Sequence, residues 1–272
     1  LVALADAGLD CVFLQFDGVS DAVYRRLRGR DLFSAKRLAI DNARAVGVGV
    51  VLVPTLVPGI NTDEIGAIVD FAKGEMPTVR AVHFQPISYF GRGPGVPRDG
   101  NRITLPEVMK ALIEHAGGTI RLEDFRPGSA ENPFCSFSGR FSVDPSGHLS
   151  ADPEPASGCC CGPATTEMEG TESCCDTSIW RSPEVARAQR YVAGQWKRAP
   201  LDEQPSAGLE AFDAFLERQG RRLSLSAMAF QDAWTLDLDR LRQCYIHVAR
   251  SDGRVTPFCA FNLTDRAGRS LS

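Results

Sequence analysis

The chain has 272 residues, 43% of them hydrophobic and 24% charged, with a formal net charge of −4 and a pI near 5.7. That balance is ordinary for a globular chain and gives no footing for nucleic acid or for an anionic membrane surface. No run of eighteen apolar residues occurs, so no membrane span is predicted.

The opening, LVALADAGLDCVFLQF, does not read as a signal peptide. A cytoplasmic, reducing setting is therefore expected, in which nine cysteines point to metal or redox chemistry rather than to disulfides. Leu1, Leu4 and Ala5 share one face of what reads as the end of a helix running into a strand. The expectation is a chain that starts inside a domain.

The first 120 residues alternate strand and helix. Cys11 to Phe16 is a short apolar run ending at Asp17-Gly18. A helix is predicted over Ser34 to Val46, with Ala35, Leu38, Ala39, Ala43 and Val46 at helical spacing. Val48 to Pro54 reads as a buried strand. Asn61 and Glu64 form a capping-box pattern before a helix that turns Ile65, Ile68, Val69 and Ala72 inward. Val79 to Gln85 is a third strand. Thr104 and Glu107 repeat the capping pattern ahead of a helix with Val108, Leu112 and Ala116 on one face. Three such units in succession imply a parallel sheet with right-handed crossovers.

The alternation stops after Asp124–Gly128. Asp144-Pro145-Ser146-Gly147 is a turn signal between two short strands, and Ser182-Pro183 starts a further helix. Residues 200 to 207 read as a linker, followed by a helix carrying Leu209, Phe212, Phe215 and Leu216. The end reads as a hairpin turning at Asp252-Gly253.

Ligands of parallel sheets sit beyond the carboxyl ends of the strands. The residues there are Gln15 and Asp17, Pro54 and Thr55, and Gln85 with Ser88. Asp17 suits sugar hydroxyls, because a carboxylate accepts two hydrogen bonds in one plane. The plainer alternatives are that Asp17 is a turn residue before Gly18 and that Gln85 only precedes Pro86. No G-x-G-x-x-G or P-loop pattern occurs, which weighs against a dinucleotide or nucleoside triphosphate.

Cys11 reads as a small apolar strand residue. Cys135 lies in NPFCSF, and Cys159, Cys160, Cys161, Cys174 and Cys175 crowd one loop. Cys244 and Cys259 flank the terminal hairpin, where antiparallel pairing draws them together. Soft thiolates gathered on loops suit zinc or an iron–sulfur cluster, although no C-x₂-C pair is present. The alternative is a loop with free thiols. His83 is read as a core histidine and His115 as solvent-facing. His148 and His247 lie beside the cysteine segments and are read as hydrogen-bonding groups.

The stretches VFLQFDGVSDAVYRRLRGRDL, GVVLVPTLVPGINTDEIGAIVDFA and VHFQPISYFGR resemble the later half of a radical S-adenosylmethionine (radical SAM) core. The cysteine-rich tail and DGRVTPFCAFNLTDRAGRSL resemble the class D methyltransferase-like branch, which includes tetraether lipid synthases and the TrsS-type radical SAM (seleno)protein.

The resemblance implies an α/β fold, the C-terminal part of a partial (βα)₆ TIM-type barrel over residues 1–128. A Cys-rich auxiliary iron–sulfur region over 129–200 and a helical segment with a Cys-bearing hairpin over 201–272 would follow. It further implies that Gln15 and Asp17 contact the ribose and methionyl part of SAM, that Thr55 and Val57 lie near the adenosine, and that Gln85 approaches the adenine. Arg28 would pair with the methionyl carboxylate. Cys135, Cys159, Cys160, Cys161, Cys174, Cys175, Cys244 and Cys259 would hold auxiliary [4Fe-4S] clusters.

The implied activity is reductive cleavage of SAM to a 5′-deoxyadenosyl radical, leading to methylation or carbon–carbon bond formation. The substrate would be a small molecule or lipid-like, and the electron donor a protein such as a flavodoxin or ferredoxin. The C-x₃-C-x₂-C pattern that holds the SAM-cleaving cluster does not occur in these residues. It is expected upstream of Leu1, which makes this chain inactive alone. The rival readings are a degenerate homologue without radical chemistry, a non-catalytic iron–sulfur electron-transfer module and a zinc-binding structural protein.

Overall fold

A computed structural model describes residues 1–90, 96–128, 131–152 and 221–271. After a first helical turn, Val2–Asp6 (α1), the chain enters strand β1, Cys11–Gln15. Helices α2, Asp21–Arg28, and α3, Phe33–Ala45, lead to β2, Gly49–Val53. A two-residue strand β3, Thr55–Leu56, follows at once. Helix α4, Ile65–Gly74, then leads to β4, Val79–Pro86, and helix α5 covers Leu105–His115. Beyond these lie β5, Arg126–Pro127, β6, Ser136–Val143, β7, Leu149–Ala151, and β8, Arg222–Met228. The last described part holds two one-turn helices, Leu238–Arg242 and Phe258–Phe261, and the hairpin of β9, His247–Ala249, with β10, Val255–Pro257.

The main sheet runs in the order β1-β2-β4-β8-β6-β5, with β3 also paired to β4 and β7 to β6. Neighbours from β1 through β8 are parallel, and β6 pairs antiparallel with β8. The fold is thus mixed α/β with a largely parallel sheet. The three sequence-predicted strands stand side by side in the predicted sense. The sheet also continues past residue 128, because β6 and β8 alternate apolar and small polar residues at period two. Phe137, Phe141, Leu223, Leu225 and Ala227 face the core.

One face of the sheet carries the core. Val50, Leu52, Val82, Phe84, Leu223 and Leu225 meet Ile65, Ile68, Val69 and Ala72 of α4 and Val108 and Leu112 of α5. The inward faces of α4 and α5 are those their spacing predicts. In α3 the spacing holds in part: Ala43 is buried and Val46 packs on the core as expected, but Leu38 is exposed and Ile40 is buried instead. Phe16 closes the end of β1, its ring stacked on Phe71 of α4 at 4.8 Å between centroids. Among the described residues, the opposite face of the sheet carries a smaller apolar cluster, Val51, Val53 and Ala81 with Cys11 against it.

Thr104 and Glu107 make the predicted capping box of α5. Asn61 and Glu64 do not cap α4; a 3₁₀ turn, Thr62–Glu64, precedes that helix and both side chains are used elsewhere. The turn after β6 and the terminal hairpin form as read, with Gly147 and Gly253 at positive φ of 88° and 82°. The helices expected after Ser182 and over Leu209–Leu216 lie outside the described residues. No helix among the described residues is long and apolar enough to cross a membrane.

Candidate functional site

The carboxyl ends of β1 and β2 meet at Asp17, with Thr55 at the start of β3 beside it. Its side chain is completely buried, and donors converge on it. Arg28 reaches it with Nε at 2.8 Å and Nη2 at 3.1 Å, and the Thr55 backbone N–H lies 3.2 Å away. The Gln15 side-chain amide donates to the same carboxylate. Such a set compensates the desolvation that an isolated buried carboxylate suffers. Arg28 also approaches Thr55 Oγ1 at 3.5 Å and leaves about a third of its side chain exposed. Four of the sequence-predicted residues, Gln15, Asp17, Arg28 and Thr55, therefore form one hydrogen-bonded group. Asp17 spends its acceptors on the protein and holds Arg28 in place.

The loop around this group is fixed by two residues that sequence reading assigned to a helix cap. Asn61 is buried. Its Nδ2 donates to Asp17 O and Thr55 O, and its Oδ1 accepts from Val57 N–H, all at 2.8 Å. Val57, another predicted site residue, is thereby pinned through its backbone. Glu64 accepts from Val19 N–H at 2.8 Å and from Ser20 Oγ at 3.3 Å. A side chain at Gly18 would collide with that carboxylate, which explains the glycine there. Burial lowers the Lys36 ammonium pKa; the nearby Asp17 opposes this, and Arg28 and Arg30 reinforce it. Burial pushes the Tyr24 hydroxyl up, and that oxygen is buried without a hydrogen-bond partner among the described residues.

Gln85 stands beside Thr55 in the β3–β4 pairing, and its backbone N–H donates to Pro54 O at 2.8 Å. Ser88 Oγ donates to Phe230 O at 2.8 Å. A second buried carboxylate, Asp232, lies beyond these strands. Arg102 binds it in bidentate fashion at 2.9 and 3.0 Å, and Tyr89 N–H adds a bond of 2.8 Å. A cavity of about 230 Å³ opens here, lined by Ile87, Arg102, Phe134, Phe230 and Arg240 among others. It is smaller than the usual ligand pocket of roughly 300 Å³ and more.

His83 is a largely buried strand histidine with a hydrogen-bond partner, as the core-histidine reading expects. It lies on the face of the sheet away from the core cluster, and its Nδ1 is 2.9 Å from Ser226 Oγ. Burial holds its pKa down at about 4. The signal in the sequence was a polar residue at an alternating strand position; its partner, 143 residues away, was invisible.

Three of the predicted thiols are described, and they are neighbours. Burial raises the Cys259 thiol; Gln231 N–H, donating at 3.3 Å, and Arg240 oppose this, and Cys244 and Cys135 add to it. Arg240 Nε donates to Cys135 Sγ at 3.4 Å. The hairpin thus draws Cys244 toward Cys259 as its turn predicts, and Cys135 joins them. Among the described residues no group of three or more His, Cys, Asp or Glu is placed to hold a metal ion. Cys159, Cys160, Cys161, Cys174 and Cys175 lie outside the described residues. His148 bonds to Ser146 Oγ at 2.6 Å, the hydrogen-bonding role expected of it.

No protein-family profile matches the chain. The curated proteins it is similar to are radical SAM enzymes, one of them a methyltransferase. That methyltransferase is the 7,8-dihydro-6-hydroxymethylpterin dimethyltransferase of Methanocaldococcus jannaschii, 31% identical over an alignment of 301 positions that takes in 98% of this chain and 58% of the relative. The others are GTP 3′,8-cyclases. That of Nautilia profundicola is 30% identical over 107 residues, 39% of this chain and 33% of the relative. That of Erythrobacter litoralis is 29% identical over 126 residues, 46% of this chain and 36% of the relative. The chain thus spans less than two thirds of the length of each.

Proposed function

We propose that this chain is part of a radical SAM enzyme of the class D methyltransferase-like branch, one that methylates a small molecule or forms a carbon–carbon bond on it. The observation that carries this reading is the match to a dimethyltransferase along 98% of the chain. Gln15 and Gln85 toward the ends of parallel strands, Thr55 paired beside Gln85, and Arg28 held by Asp17 at the end of α2 support it. These residues fit SAM: a guanidinium held by a buried carboxylate suits a carboxylate ligand, and neutral amide and hydroxyl groups suit a nucleoside. SAM together with a [4Fe-4S] cluster would supply radical chemistry, and Gln15, Arg28, Thr55 and Gln85 would bind and orient SAM. The three-cysteine pattern for that cluster does not occur in the chain, whose own part is to bind and orient SAM.

Cys135, Cys244 and Cys259 are proposed as ligands of an auxiliary iron–sulfur cluster, three of the four thiolates that such a cluster takes. A reduced flavodoxin or ferredoxin is the proposed electron donor. The similarity to a pterin dimethyltransferase makes a pterin the first substrate to try. The test is anaerobic reconstitution of the whole protein with iron and sulfide, reduction with dithionite, and measurement of 5′-deoxyadenosine formed from SAM. Formation above the protein-free rate is expected; none from iron-loaded protein overturns the reading.

A further inference from the structure

The chain carries a net charge of −4, yet residues 21–37 hold six of its 30 lysines and arginines and only two of its 34 acids. This stretch is therefore basic by four charges, and the rest of the chain is twice as acidic as the whole.

The fold sets these cations on one surface. Val23 and Tyr24 turn inward from α2, which leaves Arg25 and Arg26 in solvent. Gly29, at a positive φ of 73°, ends that helix and brings the chain round through Arg30 to the start of α3. There Phe33 and Ile40 pack on the core, and Arg37 and Leu38 face outward. Lys36 lies within the field of both Arg28 and Arg30.

The acids nearby are already engaged. Asp21 accepts from the backbone N–H groups of Leu32 and Phe33 at 2.8 and 2.9 Å. Asp31 pairs with Arg25 at 2.6 Å, and the buried Asp17 holds Arg28. Arg26, Arg30 and Arg37 are exposed and have no ion-pair partner among the described residues. A cationic face on an otherwise acidic molecule orients an anionic partner, because the rest of the surface repels it. An extended polyanion such as nucleic acid would meet that repulsion beyond this short face, whereas a small acidic protein would not. Leu38, 60% exposed beside Arg37, adds the apolar contact that protein interfaces place within a polar rim.

We propose that Arg26, Arg30 and Arg37, with Leu38 beside them, form the docking surface for an acidic one-electron carrier protein. The choice of partner rests on the radical SAM reading: the carrier is oxidised by one electron and the iron–sulfur cluster that SAM binds is reduced by it, with no proton or group transferred. The place suits that task, because the surface adjoins Arg28 and the Asp17 group, where SAM is proposed to bind.

The test titrates the whole, cluster-loaded protein with a flavodoxin and with a ferredoxin by calorimetry at low and high salt. At least one carrier should bind, and more weakly at high salt, where exposed charges are screened. Changing Arg26, Arg30 and Arg37 together to Gln should weaken that carrier about tenfold at low salt and remove most of the salt dependence. Changing Lys110, Arg121 and Arg266 to Gln removes the same charge from exposed positions on other elements and should leave the affinity unchanged. Formation of 5′-deoxyadenosine by the first variant should fall with the reduced carrier as electron source and keep the wild-type rate with dithionite, which also reports that the fold is intact. The proposal is overturned if neither carrier binds the wild type, if the folded first variant binds as the wild type does, or if the second variant loses as much affinity. Tighter binding of a short DNA duplex or of phosphatidylglycerol vesicles than of either carrier also overturns it. No cleavage of SAM by the dithionite-reduced wild type would instead sink the radical SAM reading, and the carrier titrations would still decide the docking surface.

Discussion

Replacing Asp17 by Asn leaves the shape of the site almost unchanged and removes its charge. Four donor contacts converge on the carboxylate, two from Arg28, one from Thr55 N–H and one from Gln15. An asparagine offers a single acceptor oxygen and turns an NH₂ group toward the remaining donors. Hydrogen bonds to charged groups are worth about 1.5–3 kcal/mol each and neutral ones about 1 kcal/mol. Arg28 keeps 36% of its side chain exposed and can recruit water, which sets its loss at the low end. The expected destabilisation is about 2–4 kcal/mol by urea unfolding. A displaced Arg28 should also weaken SAM by about 1–3 kcal/mol, roughly five- to 150-fold, in calorimetry of the whole protein. A double-mutant cycle of Asp17→Asn with Arg28→Ala separates the two effects. If the two changes simply add, or if a folded Asp17→Asn protein binds SAM like the wild type, Asp17 does not act through Arg28.

Asn61→Ala removes three hydrogen bonds of 2.8 Å in a buried loop and should cost about 2–3 kcal/mol in urea unfolding, and Asn61→Asp more, because its oxygen would face two carbonyls. His83 has a pKa held down from 6.5 to about 4, so between those values the unfolded chain binds the extra proton and stability rises with pH. Acidifying from pH 7 to pH 4 should therefore remove up to about 3 kcal/mol, a slope that unfolding curves of His83→Gln should lack. Changing Cys244 and Cys259 together to Ser should lower the iron bound after reconstitution of the whole protein; an unchanged iron content with intact fold removes the hairpin from the metal site.

Local patterns carry much of this fold. The strands at Cys11, Gly49 and Val79, the inner faces of α4 and α5, and the turns at Gly147 and Gly253 follow from periodicity and turn chemistry within a few residues. What stayed hidden depends on distant partners. Asn61 and Glu64 match a capping box, but the carbonyls of Asp17 and Thr55 and the amide of Val19 needed partners more than the helix end did. Helix α2 has few apolar positions to betray it, Val23 and Tyr24 being its buried pair. The alternation in Arg222–Met228 was plain enough as a strand pattern, yet nothing local said that it slots between β4 and β6. For the site, Gln15, Thr55 and Gln85 were legible as strand ends. Whether Asp17 would meet a ligand or an arginine was decided by Arg28, eleven residues on.

The insertion of β8 between β4 and β6 also dictates an order of assembly. His83 and Ser226 are 143 residues apart in sequence. Until the ribosome has released that later segment, the nascent β1-β2-β4 ribbon presents the hydrogen-bonding groups of β4 to any strand that passes. Closing so long a loop is entropically slow, and sheets with distant pairings fold slowly as a class. During synthesis at about 5–20 residues per second, β4 waits roughly seven to thirty seconds for its neighbour. Over that interval the chain is a natural client for holding chaperones, and a ribosome-arrest series cut before and after Met228 should show the β4 amides gaining protection only once β8 has emerged.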